Sequence, residues 1–172
     1  MTNKIFICCK DEYLSENIKE KINSRFKDKL CGFEVLPVLK ADKIDGYDIK
    51  IFPNEIVPLA SVRFLGKLSF NKYSLNTSAL EKAVLSFPRE GKISFLKGLG
   101  PMLLKFNPLK ERLFSVLTSD TPMIVLSSSV AETKKMAYGL DDAMIIEAEG
   151  ENSVSALREL TEKIKEFERR II

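Results

Sequence analysis

Residues 4–22, KIFICCKDEYLSENIKEKI, have the outline of a strand, turn and helix that cradle phosphate, without the residues that do the cradling. Such a turn needs glycines, so that backbone N–H groups can curl round the anion. It also needs a lysine to reach the outer phosphates and a hydroxyl to hold magnesium. Here the strand KIFICC is followed by Lys10-Asp11-Glu12-Tyr13 and a helix from about Leu14, with no glycine and no Gly-Lys-Ser/Thr. Histidine is absent from the chain, which removes Ser-His and Cys-His nucleophiles, histidine bases and imidazole metal ligands together.

Other side chains carry chemistry that must be weighed against plainer roles. Lys97, before Gly98, offers an ammonium for phosphate from a different strand. The plainer reading is a solvated lysine or one paired with Asp11 or Glu16, and the ion pair is the expectation here. Ser127-Ser128-Ser129 offers hydroxyls for a nucleophile or an anion; with no matching base, it reads as a polar strand end entering a helix N-cap. Cys8-Cys9 is an adjacent thiol pair, but strand cysteines behave mostly as small core residues. Asp141-Asp142 reads as a strand start after a helix stop at Gly139 rather than a metal site. Lys92, Lys97, Lys105 and Lys110 read as solvated surface rather than a basic patch.

The elements that position these residues follow from the hydrophobic pattern. Five short runs, Ile5–Cys9, Phe33–Val38, Ile93–Leu96, Met123–Leu126 and Met144–Ile146, are apolar without alternation, as strands covered on both faces are. Helical stripes separate most of them: Leu14, Ile18, Ile22 and Phe26; Leu80, Val84 and Leu85; Leu109, Leu113, Val116 and Leu117. A last helix, about Ser153 to Arg170 with Asn152 as N-cap, carries Val154, Leu157, Leu160, Ile164, Phe167 and Ile171. Glu159–Lys163 and Glu166–Arg170 are spaced to pair on its outer side. Strands alternating with helices predict a largely parallel α/β sheet. Residues 46–61, GYDIKIFPNEIVPLAS, break the rhythm and predict an inserted β-hairpin turning at Pro53-Asn54.

Composition sets the class. A length of 172 residues fits one domain, 45% hydrophobic residues can fill its core, and 30% charged residues of mixed sign fit a soluble globular protein. A net charge of +3 is too small to indicate a nucleic-acid binder. Three cysteines, two of them adjacent, make neither a disulfide framework nor a metal spacing, so reduced thiols and a cytoplasmic location are expected. The apolar run Ile5–Cys9 is too short for a signal segment, and no stretch is long enough to span a membrane.

The order of short motifs resembles one family along nearly the full length: the small P-loop nucleoside triphosphatases of thermophiles and their animal relatives, also called nucleotide phosphatase/kinase proteins. The resemblance begins at Lys4-Ile5-Phe6-Ile7 and a helix ending Lys21-Ile22, and continues with Cys31-Gly32-Phe33 as the family's Gly-Phe strand start. Gly46-Tyr47-Asp48-Ile49 and Pro58-Leu59-Ala60 resemble its hairpin, and Lys72-Tyr73, Asn76 and Leu80-Glu81 its Lys-Tyr-Gly-Val-Asn…Leu-Glu segment. Leu99-Gly100-Pro101-Met102 resembles the segment after the Walker B acids, and Ser119-Asp120-Thr121-Pro122 the family's Ser-Asp-Lys-Pro. The resemblance implies a three-layer α/β sandwich with a RecA-like core, a mostly parallel five-stranded sheet, and the hairpin inserted at about 46–61 of a single domain spanning 1–172.

The catalytic positions implied by the resemblance have been replaced. The glycines of the family's phosphate loop fall on Cys9, Glu12 and Leu14, its lysine on Ser15 and its magnesium-binding threonine on Glu16. The Walker B pair falls on Lys97-Gly98, the acid after Gly-Pro-Met on Leu103, and a later His-Arg pair near Ser128-Ser129. Carboxylates at Asp11, Glu12 and Glu16 suit a helix N-terminus, each by roughly 0.3–1 kcal/mol, and repel an anion there. Without lysine and magnesium, little remains to neutralise a phosphoryl-transfer transition state. The leading expectation is a non-hydrolysing binding or regulatory module, with no catalytic residues and no cofactor, and with an unidentified protein as possible partner. The alternative is an atypical nucleotide enzyme using Lys97, Ser15 and Ser128, with Ser129 beside them; only this alternative calls for magnesium and a nucleoside triphosphate. An RNA-binding surface ranks third.

Overall fold

The structure, a computed structural model, describes residues 3–171; the side chains of Arg170 and Ile171 lie outside the described residues, and with them the Glu166–Arg170 pair and the end of the last apolar stripe. Strand β1 (Lys4–Cys8) runs through Cys9-Lys10-Asp11 into helix α1 (Glu12–Phe26). A long strand β2 (Leu30–Lys40) folds back on β3 (Lys43–Ile51), which folds back on β4 (Glu55–Ser61). Two short strands, β5 (Ser69–Phe70) and β6 (Tyr73–Leu75), precede helix α2 (Thr77–Leu85). Then follow β7 (Ile93–Lys97), α3 (Pro101–Leu104), α4 (Asn107–Leu117), β8 (Met123–Ser127), α5 (Val130–Ala137), β9 (Ala143–Glu147) and α6 (Ser153–Ile171).

Among the described residues these strands form one mixed sheet of nine, in the order β5-β6-β4-β3-β2-β7-β8-β1-β9. The five apolar runs are its parallel part, β2-β7-β8-β1-β9. The expectation of a five-stranded sheet is therefore corrected. The expected hairpin at 46–61 forms as β3 and β4, turning at residues 52–54, and belongs to the same sheet: β3 pairs antiparallel along β2 and covers what would be a free sheet edge, and β4, β6 and β5 continue outward from it.

Each face of the sheet carries its own core. Phe6, Phe33 and Leu96 face α2 and α4, where Leu80, Leu109, Leu113 and Val116 are buried. Ile5, Ile7, Phe95 and Ile124 face α1 and α6, where Ile18, Ile22, Phe26, Leu160, Ile164 and Phe167 are buried. This double covering is why the strands read as continuous apolar runs. Two apolar residues of the expected stripes turn outward. Val154 is 61% exposed, because it stands about 120° round α6 from Leu160 at 100° per residue, and Ala156 takes the inward place. Leu85 is 75% exposed at the end of α2, where Ala79 and Ala83 pack inward beside Leu80. Lys163 bonds Glu166 at 3.0 Å, in place of the expected Glu159.

Candidate functional site

The carboxyl ends of β1, β7 and β8 meet at one edge of the sheet, the place where open α/β sheets bind ligands. Backbone bonds extend the ladder past the strand ends: Cys9 N–H donates to the Ser127 carbonyl at 2.8 Å and Gly98 N–H to the Leu126 carbonyl at 3.3 Å. After Cys9 the chain has only Lys10 and Asp11 before helix α1. The helix starts at Glu12, two residues earlier than the pattern predicts, so Glu12, Leu14, Ser15 and Glu16 stand in its first turns and only Cys9 remains in the loop. The reason is local. Asp11 has extended backbone and its Oδ1 accepts the Leu14 N–H at 2.7 Å, while its carbonyl accepts the Ser15 N–H at 2.9 Å. A carboxylate of the chain itself thus sits at the helix N-terminus, where the dipole would otherwise attract an external anion.

One turn further along, α1 projects Glu16 and Lys19 onto the sheet. There they meet Glu34 on β2 and Lys97 on β7, which are register partners on adjacent strands. Lys97 Nζ lies 2.5 Å from Glu16 Oε1 and 3.4 Å from Glu34 Oε1; Lys19 Nζ lies 3.0 Å from Glu34 Oε1 and also pairs with Glu16 Oε2. Two carboxylates and two ammonium groups form a closed, formally neutral network. The Glu34 side chain is 2% exposed, and both lysine ammonium groups reach its Oε1. Burial alone would raise the Glu16 carboxyl, but Lys19 and Lys97 outweigh it and hold Glu16 below its ordinary range. Burial alone would likewise lower Lys19, and the bonds from Glu16 and Glu34 leave it raised.

The Lys97–Glu16 pair is the one expected from the sequence; Asp11 is engaged as the cap instead. Lys19 and Glu34 were not anticipated. A lone glutamate inside the apolar run GFEVLPV is the signal that points to Glu34. Lys19 has no comparable signal, because a lysine on a helix is ordinary. Tyr13 does not enter the crevice and is 79% exposed.

The remaining candidates take structural places. Ser129 caps α5, its Oγ accepting the Glu132 N–H at 3.3 Å, and Ser127 Oγ accepts the Ser129 N–H at 3.1 Å; Ser128 is exposed. Leu103 is fully buried in the core under α3 and α4. Gly98 has φ +83° and a Cβ there would fall 2.8 Å from the Val35 Cβ, so this position takes glycine for backbone and space. Cys8 and Cys9 are buried, and burial is the main cause that pushes both thiols up and away from thiolate. Among the described residues no group of three or more His, Cys, Asp or Glu side chains is placed to hold a metal ion, and no helix is long and apolar enough to cross a membrane.

Comparison with solved structures decides the fold. The chain superposes on the crystal structure of THEP1 from the hyperthermophile Aquifex aeolicus with a TM-score of 0.65 and 18% identity, over 93% of this chain and 96% of that one. It superposes on the solution structure of a human cancer-related nucleoside triphosphatase with a TM-score of 0.72 and 12% identity, over 96% of this chain and 98% of the other. The fold is that of a P-loop nucleoside triphosphatase. At these identities the likeness is one of fold, and it spans both chains nearly end to end. No protein-family model matches the sequence, and no curated protein sequence matches it. The Asp11 cap stands in the turn after β1, and Lys97 of the network ends β7.

Proposed function

We propose that this protein is a nucleoside-triphosphatase relative that no longer hydrolyses nucleotides and serves in the cytoplasm as a binding or regulatory module. The observation that carries this reading is the Glu16–Lys19–Glu34–Lys97 network. Its lysines, which could meet phosphate, are engaged by carboxylates of the same chain. The residues present also fit a magnesium nucleotide poorly. Asp11 answers the first N–H groups of α1, the end of β7 offers an ammonium in place of a metal-binding carboxylate, and Leu103 is buried in apolar surroundings. Three free, buried cysteines are consistent with a reducing compartment.

The test is thermal unfolding and phosphate release with ATP or GTP and magnesium. The expected result is an unchanged melting temperature and no release above background. Saturating nucleotide that stabilises the fold by roughly 2–4 kcal/mol, with steady phosphate release, would overturn the proposal. Such activity, if abolished in Lys97→Ala, would establish instead an atypical nucleotide enzyme built on Lys97, Ser15 and Ser128.

A further inference from the structure

A second concave site lies on the antiparallel side of the crevice. The β5–β6 hairpin and the start of α3 line a half-open cavity of about 290 Å³, at the small end of the range for ligand pockets (about 300–1,000 Å³). Its walls are Tyr47 from β3, Phe70 and Tyr73 from the hairpin, Val35 from β2 and Met102 from α3. Tyr47 and Tyr73 pack edge to face with centroids 5.6 Å apart. Three aromatic rings and a thioether round a small space select a flat ring, which gains stacked or edge contacts beyond burial alone.

Two ammonium groups flank the rings of this site. Lys72 Nζ lies 5.3 Å from the centre of the Tyr73 ring, and Lys105 Nζ lies 5.6 Å from the centre of the Phe70 ring. Each ammonium stands at a ring that lines the cavity, and neither lysine is itself a lining residue. Lys105 also donates to the Ser69 carbonyl at 3.1 Å. Neither lysine pairs with a carboxylate among the described residues, in contrast to Lys97 and Lys19. Two lysines without counter-ions beside an aromatic cavity complement an acidic group attached to a ring.

We infer that this cavity binds a small planar aromatic anion, its ring between Tyr47, Phe70, Tyr73 and Met102 and its acidic group toward Lys72 and Lys105. The inference stands whether or not the chain hydrolyses nucleotides, because none of these residues belongs to the Glu16–Lys97 network.

The chain has four tyrosines and no tryptophan, so ring-labelled tyrosine NMR reads the site directly. Tyr13 and Tyr138, which are 79% and 90% exposed and do not line the cavity, are internal controls. The probes are indole-3-acetate for a carboxylate, adenosine monophosphate for a phosphate, and neutral indole-3-acetamide. At least one anionic probe is expected to shift Tyr47 and Tyr73 saturably while Tyr13 and Tyr138 stay still. Which anion binds more tightly tells the carboxylate source from the phosphate source.

Two variants test the assignment. Gly100 lines the cavity, its backbone is extended at φ −162° and ψ −169°, and a Cβ there would meet no atom within 4 Å. Gly100→Leu should therefore fold with an unchanged melt and abolish binding. Lys72→Gln with Lys105→Gln, two surface changes, should weaken the anion about tenfold and leave the acetamide unaffected. Failure of both anions to bind the unmodified protein would overturn the inference. So would undiminished binding in folded Gly100→Leu, or acetamide binding as tightly as the acetate.

Discussion

Lysines are drawn in from solvent at both ends of the parallel sheet, fully at one and partly at the other, and they are held in opposite ways. At the carboxyl end, Lys19 and Lys97 are enclosed by the carboxylates of Glu16 and Glu34. At the amino end, Lys4 on β1 is fully buried, and its ammonium donates to the Ser119 carbonyl at 2.6 Å, the Thr121 carbonyl at 2.7 Å and Asn3 Oδ1 at 2.8 Å. Neutral oxygens satisfy the hydrogen bonds of Lys4 without cancelling its charge. Burial therefore lowers Lys4 from the ordinary value of 10.5, and the more distant Asp142 and Asp120 offset only part of the effect. Lys19 meets the same penalty and ends above 10.5, because carboxylates touch it. The difference separates a lysine that clamps a loop from lysines that close a crevice.

The largest effect on stability is expected at the carboxyl end. Replacing both Lys19 and Lys97 with alanine leaves Glu34 as an uncompensated buried charge and should cost about 3–5 kcal/mol in urea unfolding. Adding Glu34→Leu to that variant should recover most of the loss. A cost below about 1 kcal/mol would mean that the network does not hold Glu34.

At the amino end, Lys4→Met removes charge-assisted bonds to two loop carbonyls and should cost about 1–3 kcal/mol. Because the two sites lie at opposite ends of the sheet, Lys4→Met and Lys19→Gln should add to within about 0.5 kcal/mol. A larger coupling would show that the ends are not independent.

The smallest effects are in pH dependence. Lys19 binds its proton more tightly folded than unfolded, so its contribution is complete below 10.5 and is lost as pH rises above that value. Lys4 has the reverse sign: the unfolded chain binds the proton more tightly, so rising pH approaching 10.5 favours folding. Alkaline unfolding should therefore be blunted in Lys19→Gln and steepened in Lys4→Met. Glu16 is held below its ordinary 4.5, so its contribution is present above that pH and is lost as pH falls further. Glu16→Gln should flatten that acid limb and cost only about 0–1 kcal/mol at neutral pH, since the side chain is 45% exposed. Identical acid limbs in the variant and the unmodified protein would remove Glu16 from the network.

The parallel strands were legible because a strand covered on both faces has no alternation to disguise it. The stripe on α4 was legible in full, and Leu109, Leu113, Val116 and Leu117 are all buried. The antiparallel edge was harder. Pro53-Asn54 marked one turn, but β5 and β6 have two and three residues, too few for any period to show. The β2–β3 turn uses Ala41 and Asp42 at φ 49° and 60°, where glycine or asparagine would have announced it. Within the candidate site, Asp11, Glu16 and Lys97 could be read from residue type and motif order. Glu34 leaves a trace, as a lone glutamate in an apolar run, but Lys19 leaves none, and nothing local says that the two will meet.

The amino-acid sequence alone determined that no glycine stands in the turn Cys9-Lys10-Asp11 after β1 and that β7 ends on a lysine rather than a carboxylate. Hydrophobic period determined which elements form and which faces they bury. Tertiary packing decided that Glu16, Lys19, Glu34 and Lys97 become a closed network. Side-chain alternation assigns Glu34 and Lys97 to a face of the sheet, but the β2–β7 register makes them neighbours. The Asp11 cap starts α1 early enough to bring Glu16 and Lys19 down onto them.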